Sequence, residues 1–286
     1  MKIDGYTRMA AVVAKPIKHS LSPFIHNRAF ELTGINGVYL AWEIDEEDFG
    51  QIISNVRKLN MYGLNISMPY KRLALDYVDY LTDEARLIGA VNTVVNFDGK
   101  LIGHNTDGIG LFKSLERFGF SAKNKEITVL GGGGAAIAVL AQACLLGVEK
   151  VNVFARHSAS FEPLKQRLAE LAEATGVKIE LCDLGDFADL QEKVNRSNLL
   201  VNGTPVGMEE ANLPLSSEIK LPEKILVVDL IYKVLETSFL KWAKAQGAVT
   251  ANGVGMLLYQ AAESFEMWTG QKMPVDVLEK ELAEKL

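Results

Sequence analysis

The sequence predicts an α/β chain in two parts: an N-terminal α/β domain followed by a domain built on a doubly wound parallel sheet. Three observations carry this. Short β-branched runs alternate with helical patterns along most of the 286 residues. From 126 onward the alternation becomes regular, with connections of helix length, which predicts parallel strands and right-handed crossovers. The run at 126–130 breaks on Gly131, Gly132, Gly133 and Gly134 before an apolar helix. The length suits about two domains, each with its own core.

In the first part, 10–14 reads as a strand and the amphipathic run at 22–33 as a helix. Ser22 is its expected N-cap, Pro23 its first residue and Gly34 its stop. A strand follows at 38–44, and 46–59 repeats Phe49, Ile52, Ile53, Val56 and Leu59 at helical spacing. A short strand at 64–67 ends at Pro69, and 71–81 reads as a helix. Runs at 92–96 and 100–102 flank Phe97, Asp98 and Gly99, a hairpin signal. A helix at 106–118 then leaves this domain. The second part has strands at 126–130, 150–155, 177–182, 198–202 and 225–230, with helices expected between them. Helices at 255–269 and from 275 onward close the chain.

Composition narrows the function. Hydrophobic residues make up 48% and charged residues 23%, ordinary for a globular protein, and the net charge of −6 argues against general nucleic-acid binding. No basic-then-apolar leader opens the chain and no apolar run reaches about 18 residues, so neither a signal peptide nor a membrane span is expected. Cys144 and Cys182 read as buried reduced thiols, which implies a reducing cytoplasm. His19, His26, His104 and His157 form no cluster with them, so no metal is expected.

The glycines fit G-x-G-x-x-A as Gly131, Gly133 and Ala136. The first permits the tight turn, the second lets backbone approach a pyrophosphate, and the small third packs helix on strand. Phosphates would face the free N–H groups of the helix start, with Gly132, Gly134 and Ala135 in the same loop. A purely structural turn is the equal alternative. The next strand ends in Arg156, with no acidic residue before Glu162. A carboxylate there suits the ribose of NAD and an arginine suits a 2′-phosphate, so NADP is favoured; an ordinary exposed arginine is the competing reading.

Six further stretches interrupt regular elements with Gly, Pro, Asn, Ser or Asp. They are 18–23 (KHSLSP), 65–71 (NISMPYK), 89–93 (GAVNT), 103–108 (GHNTDG), 202–208 (NGTPVGM) and 253–260 (GVGMLLYQ). Singly, each is turn and cap chemistry. Together they put a lysine, an aspartate and several hydroxyl and amide groups at strand ends, where open α/β sheets bind ligands.

In these stretches, taken in this order, the chain resembles the shikimate dehydrogenase family, including its quinate/shikimate branch, almost end to end. The resemblance implies a catalytic, substrate-binding domain of 1–107 with 253–286, and an NADP-binding Rossmann domain of 108–252. It implies reversible NADP-dependent reduction of 3-dehydroshikimate to shikimate on the route to chorismate and aromatic amino acids, with NAD the weaker cofactor. A monomer or homodimer acting on a small molecule is expected. Position by position, Ser20 and Ser22 match serines that hold the substrate carboxylate, and Ser67 matches a hydroxyl residue that is often threonine. Asn92, Asp107 and Gln260 match ligands of the ring hydroxyls, Tyr232 borders the nicotinamide, and Lys71 and Asp107 match the catalytic pair. Thr204 and Gly253, in the last two stretches, fall on the cofactor side.

The chemistry suits that pair. Hydride arriving at a ketone leaves an alkoxide that needs a proton and a nearby positive charge, and a lysine can supply both. Asp107 would orient it. The lysine as proton carrier and the lysine as electrostatic anchor stay open, and without the resemblance Lys71 is a solvated lysine in a helix's first turn. Three positions depart from the family: Gly132 where alanine is common, Ala155 and His157 flanking Arg156 where Asn and Thr or Ser are common, and Val234 for a frequent proline. The rivals are a dual quinate/shikimate enzyme, a folate-linked dehydrogenase with a similar second half, and a non-catalytic nucleotide sensor. The sensor would be expected to lack Lys71 or Asp107, or to carry an added DNA-binding segment.

Overall fold

The computed structural model describes residues 3–286. The chain divides into two compact units, Met1–Gly110 with Leu258–Leu286, and Leu111–Leu257. Each carries a six-stranded sheet.

In the first unit β1 (Arg8–Ala14) lies between β2 (Gly37–Glu43) and β3 (Gly63–Ile66), parallel to both. Its last five residues are buried, as a continuous apolar run in a parallel setting requires. Next to β3, and antiparallel to it, comes β5 (Thr93–Phe97), which turns through Asp98 and Gly99 into β6 (Lys100–His104). Both turn residues have positive φ, +48° and +80°, the geometry a two-residue hairpin favours. The register sets Asn65 opposite Thr93 and Thr93 opposite His104. The ends of β1, β3 and β6 and the start of β5 therefore share one edge of the sheet.

Around this sheet lie α1 (Ser22–Thr33) and α2 (Phe49–Lys58), the latter preceded by a 3-10 turn at Glu46–Asp48. The helix expected over 71–81 does not form. A 3-10 turn at Leu73–Tyr77 is followed by β4 (Tyr80–Leu81), parallel to β6 at the sheet's edge. Asp79 accounts for the difference. Its N–H donates to Leu101 O at 2.8 Å and its carboxylate accepts from Leu101 N at 2.7 Å, holding this β-prone stretch against the sheet. A short helix that the pattern does not announce, α3 (Asp83–Ile88), then closes on Gly89. Ser22 is also not the N-cap of α1. Leu21 holds that place in a helical conformation, and the Ser22 N–H donates to Ser20 Oγ at 3.2 Å.

His26 on α1 is fully buried, its ring stacked on Tyr39 at 4.2 Å and tilted against Trp268 at 5.3 Å, and neither nitrogen has a hydrogen-bond partner. Burial pushes its pKa from 6.5 down to about 3. The folded state therefore keeps His26 neutral while the unfolded chain takes up a proton below about pH 6.5. Stability should fall by roughly 1.4 kcal/mol per pH unit from that point toward pH 3 because of this residue. His26→Phe should lose that component. Urea midpoints at pH 7.5 and 5.0 that shift equally in both proteins would contradict it.

The helix α4 (Asp107–Glu116) starts in the first unit and ends in the second. There β7 (Glu126–Leu130), β8 (Lys150–Ala155) and β9 (Lys178–Asp183) run to one side of the sheet. On the other side lie β10 (Leu199–Asn202), β11 (Leu226–Asp229) and β12 (Val249–Ala251), all parallel. The order β12-β11-β10-β7-β8-β9 reverses at β7, as doubly wound sheets do. Crossovers are made by α5 (Gly134–Leu145), α6 (Phe161–Thr175), α7 (Phe187–Arg196) and α8 (Ser238–Ala245). Between β10 and β11 the expected helix is absent, and 203–225 runs as turns carrying Pro205, Pro214 and Pro222, which have no N–H to give a helix. The closing helices are α9 (Gly253–Thr269) and α10 (Val275–Ala283). Among the described residues no helix is long and apolar enough to cross a membrane.

Candidate active site

The shared sheet edge of the first unit gathers the segments that carry Ser20, Ser22, Ser67, Lys71, Asn92 and Asp107. Lys71 follows the turn after β3, where the Tyr70 N–H donates to Ser67 O at 3.0 Å, and so it is not a helical lysine. Its Nζ donates to Asp107 Oδ2 at 2.6 Å, with the two side chains 27% and 12% exposed. Partial burial makes this pair stronger than a surface ion pair and keeps one edge reachable. The other carboxylate oxygen, Oδ1, accepts from Asn92 Nδ2 at 2.8 Å. Asn92 Oδ1 accepts from the Thr106 N–H at 2.8 Å, which fixes which end of the amide faces Asp107. The result is a cation whose distance and direction are set from two sides.

Gln260 reaches the same neighbourhood through backbone packing. Gly110, one turn beyond Asp107, would place a Cβ 2.5 Å from Gln260 N, so only glycine lets α9 come this close to α4. Ser22 is buried; nearby, the phenol of Tyr39 is fully buried. Tyr39 donates to Asn65 Oδ1 at 2.6 Å, and Asn65 Nδ2 donates to Asn92 O at 3.2 Å. Ser20 and Ser67 are half-buried. Asn65, Thr93 and Thr106 lie inside the polar stretches, yet nothing local distinguishes them from turn residues; their contacts are tertiary.

In the second unit the glycine turn has the form the motif requires. Gly131 sits at φ +94°, and its N–H donates to Phe154 O at 2.8 Å. Gly133 is the extended N-cap of α5. A Cβ on Gly133 or Gly134 would meet nothing within 4 Å, and Ala135 is exposed, so the helix start is open. Ala136 is fully buried, and a Cβ on Gly203 would lie 2.8 Å from it, so both must be small for the 202–204 turn to pack there. Thr204 is held by its N–H and hydroxyl, both donating to Asn202 Oδ1 at 3.0 and 2.7 Å. Asn202 Nδ2 also donates to the buried Asp229, which accepts the Thr237 hydroxyl at 2.6 Å, tying this turn to the segment of Tyr232. Tyr232 is half-buried, and burial pushes its phenol up. Gly253 opens α9 and donates its N–H to Ile231 O at 3.1 Å, where a side chain would strike Leu230 O. Arg156 is exposed just past β8, beside His157, whose ring stacks on Phe161 at 4.2 Å. Open helix N–H groups with an exposed arginine beyond the next strand fit a dinucleotide bearing a 2′-phosphate. Among the described residues no cluster of His, Cys, Asp or Glu could hold a metal ion.

Two family models match the chain: the shikimate dehydrogenase substrate binding domain over 12–94, and the shikimate 5′-dehydrogenase C-terminal domain over 253–283. A shikimate dehydrogenase (NADP⁺) of Lactococcus lactis subsp. cremoris is 62% identical over 282 residues, covering 99% of both chains. A crystal structure of shikimate 5-dehydrogenase from Listeria monocytogenes, in complex with shikimate and NAD, is 38% identical with a TM-score of 0.95 and covers 99% of this chain and 98% of that one. The Thermus thermophilus enzyme, in complex with NADP(H) and shikimate, is 37% identical with a TM-score of 0.83 over 98% of this chain and 100% of its own.

Proposed function

This chain belongs to the shikimate dehydrogenase family, and on that basis we propose that it interconverts 3-dehydroshikimate and shikimate with NADP. The observation that carries the reading is the Lys71–Asp107–Asn92 cluster, which holds a partly exposed cation against a carboxylate anchored through both oxygens. The nicotinamide, when bound, supplies or accepts the hydride. The chain's own task is the proton and the charge. In the reducing direction, the Lys71 ammonium stabilises the developing alkoxide and delivers a proton to its oxygen. In the oxidising direction the same nitrogen takes that proton from the hydroxyl. Asp107 keeps the ammonium aimed, and Asn92 holds the carboxylate through its second oxygen, so little reorganisation is needed as charge appears. Ser20 and Ser22 are assigned to the substrate carboxylate, Ser67 to the substrate site beside them, and Gln260 with Asn92 and Asp107 to the ring hydroxyls. Gly131–Gly134, Ala135, Arg156, Thr204 and Gly253 are assigned to the cofactor, with Tyr232 at the nicotinamide. The test is turnover of shikimate with NADP⁺ by the purified protein. No turnover overturns the reading.

A second cofactor reading is favoured by one observation: the Listeria relative was crystallised with NAD. Dual use would show as comparable kcat/KM with NAD⁺ and NADP⁺.

Ser22→Ala separates binding from folding. Because Leu21, not Ser22, is the N-cap, the cap loss of about 1 kcal/mol should be missing. The shikimate KM should rise, while the ligand-free stability should fall by no more than about 1 kcal/mol, the scale of a single buried hydroxyl's contacts. An unchanged KM would remove Ser22 from the substrate site.

A further inference from the structure

Thr93 and Ser264 are fully buried hydroxyl residues whose side chains bond to neither Lys71 nor Asp107. Thr93 opens β5, and Ser264 lies one turn beyond Gln260 on α9. Their oxygens are 2.8 Å apart. Thr93 Oγ1 accepts from Asn65 Nδ2 at 3.0 Å and reaches Asn92 Oδ1 at 2.9 Å. Ser264 Oγ accepts from the same Asn65 nitrogen at 3.1 Å and reaches Gln260 O at 3.0 Å.

The protons limit how these contacts can be filled. Each hydroxyl has one proton to give. If Thr93 donated to Asn92 while Ser264 donated to Gln260, their own 2.8 Å contact would set lone pairs face to face. Setting aside the Thr106 hydroxyl, a more distant partner at 3.4 Å from Thr93 and 3.5 Å from Ser264, two arrangements avoid that. In one, Ser264 donates to Thr93 and Thr93 to Asn92 Oδ1. In the other, Thr93 donates to Ser264 and Ser264 to the Gln260 carbonyl, leaving Asn92 Oδ1 to the N–H and hydroxyl of Thr106. The first arrangement runs every donor toward Asn92, and chained hydrogen bonds polarise one another in a low-dielectric interior. It strengthens the Asn92 Nδ2 donation to Asp107 Oδ1 from behind.

We propose that Thr93 and Ser264 are positioning residues for the redox reaction, a buried hydroxyl pair that aims the Asn92 amide at Asp107 and thereby fixes the Lys71–Asp107 pair. This rests on the reading of that pair given above. The pair also joins three distant parts of the chain, since Asn65, Thr93 and Ser264 meet only through the sheet register and the packing of α9.

The test compares wild type with Thr93→Val, which keeps the shape and deletes the hydroxyl, Thr93→Ser, which restores it, Ser264→Ala, and the double variant Thr93→Val/Ser264→Ala. For Thr93→Val, kcat with shikimate should fall roughly ten- to thirtyfold, with the shikimate KM changed less than about threefold. The NADP⁺ dissociation constant, read by fluorescence titration, should stay within about twofold because Thr93 lies in the other unit. Thr93→Ser should recover most of the activity. The double variant should be little worse than Thr93→Val, since one donor chain has already been cut. A kcat within about twofold of wild type for Thr93→Val, no recovery in Thr93→Ser, or a parallel loss of NADP⁺ binding would overturn the proposal. Should Thr93→Val not fold, Ser264→Ala decides by the same split between kcat and KM. A wild type without shikimate turnover overturns the parent reading and this inference together; an active wild type beside an unaffected Thr93→Val overturns this inference alone.

Discussion

Lys71→Ala is expected to lower turnover by about two to three orders of magnitude while NADPH binding stays near the wild-type value. The substitution removes the ammonium held 2.6 Å from Asp107 Oδ2, and with it the charge proposed to face the developing alkoxide, an effect of about 3–4 kcal/mol for groups of this kind. Asp107→Ala should also be severe, because it leaves the lysine present but unaimed. In the proposed mechanism the two residues act on one proton. The double variant should therefore be little worse than the worse single variant, since groups working as a unit do not add. Single-turnover hydride transfer measured for all four proteins checks this. Losses that simply sum in logarithm, or a Lys71→Ala protein that keeps most of its activity, would refute the shared-proton mechanism.

Arg156→Ala is expected to raise the NADP⁺ Michaelis constant by roughly ten- to a hundredfold, and to leave that for NAD⁺ nearly alone. An arginine on a phosphate is a charge-assisted, often bidentate contact, worth on the order of 1.5–3 kcal/mol. Arg156 is exposed at the end of β8, and its neighbour His157 is occupied by its stack on Phe161. The preference should weaken with salt, because an exposed contact is screened. Equal losses with both cofactors would remove Arg156 from the 2′-phosphate site, and a wild type indifferent to the phosphate would favour dual cofactor use.

Some of this was legible in the sequence because it is written within a few residues. Strand and helix alternation, the glycine turn at 131–134, the small residue at Ala136 and the Asp98–Gly99 hairpin follow from backbone freedom and periodicity, which neighbours determine. The polar stretches pointed to Lys71, Asn92 and Asp107 through a family resemblance. What the sequence did not contain is how such residues face one another. The 71–81 stretch has helical spacing, but Asp79 binds Leu101 across the sheet and draws it into a 3-10 turn and an edge strand. Ser22 has the chemistry of a cap, yet the cap position falls on Leu21 and the Ser22 N–H donates to Ser20 Oγ. Asn65 and Ser264 are 199 residues apart and Thr93 and Ser264 171, and only the strand register and the approach of α9 over Gly110 bring their polar atoms within 3.1 Å. Local conformation is settled by short-range sterics and hydrogen bonds that a sequence displays. The pairing of buried polar groups is settled by which surfaces pack together, where each donor must find an acceptor or lose its hydration uncompensated, and only the tertiary structure decides that.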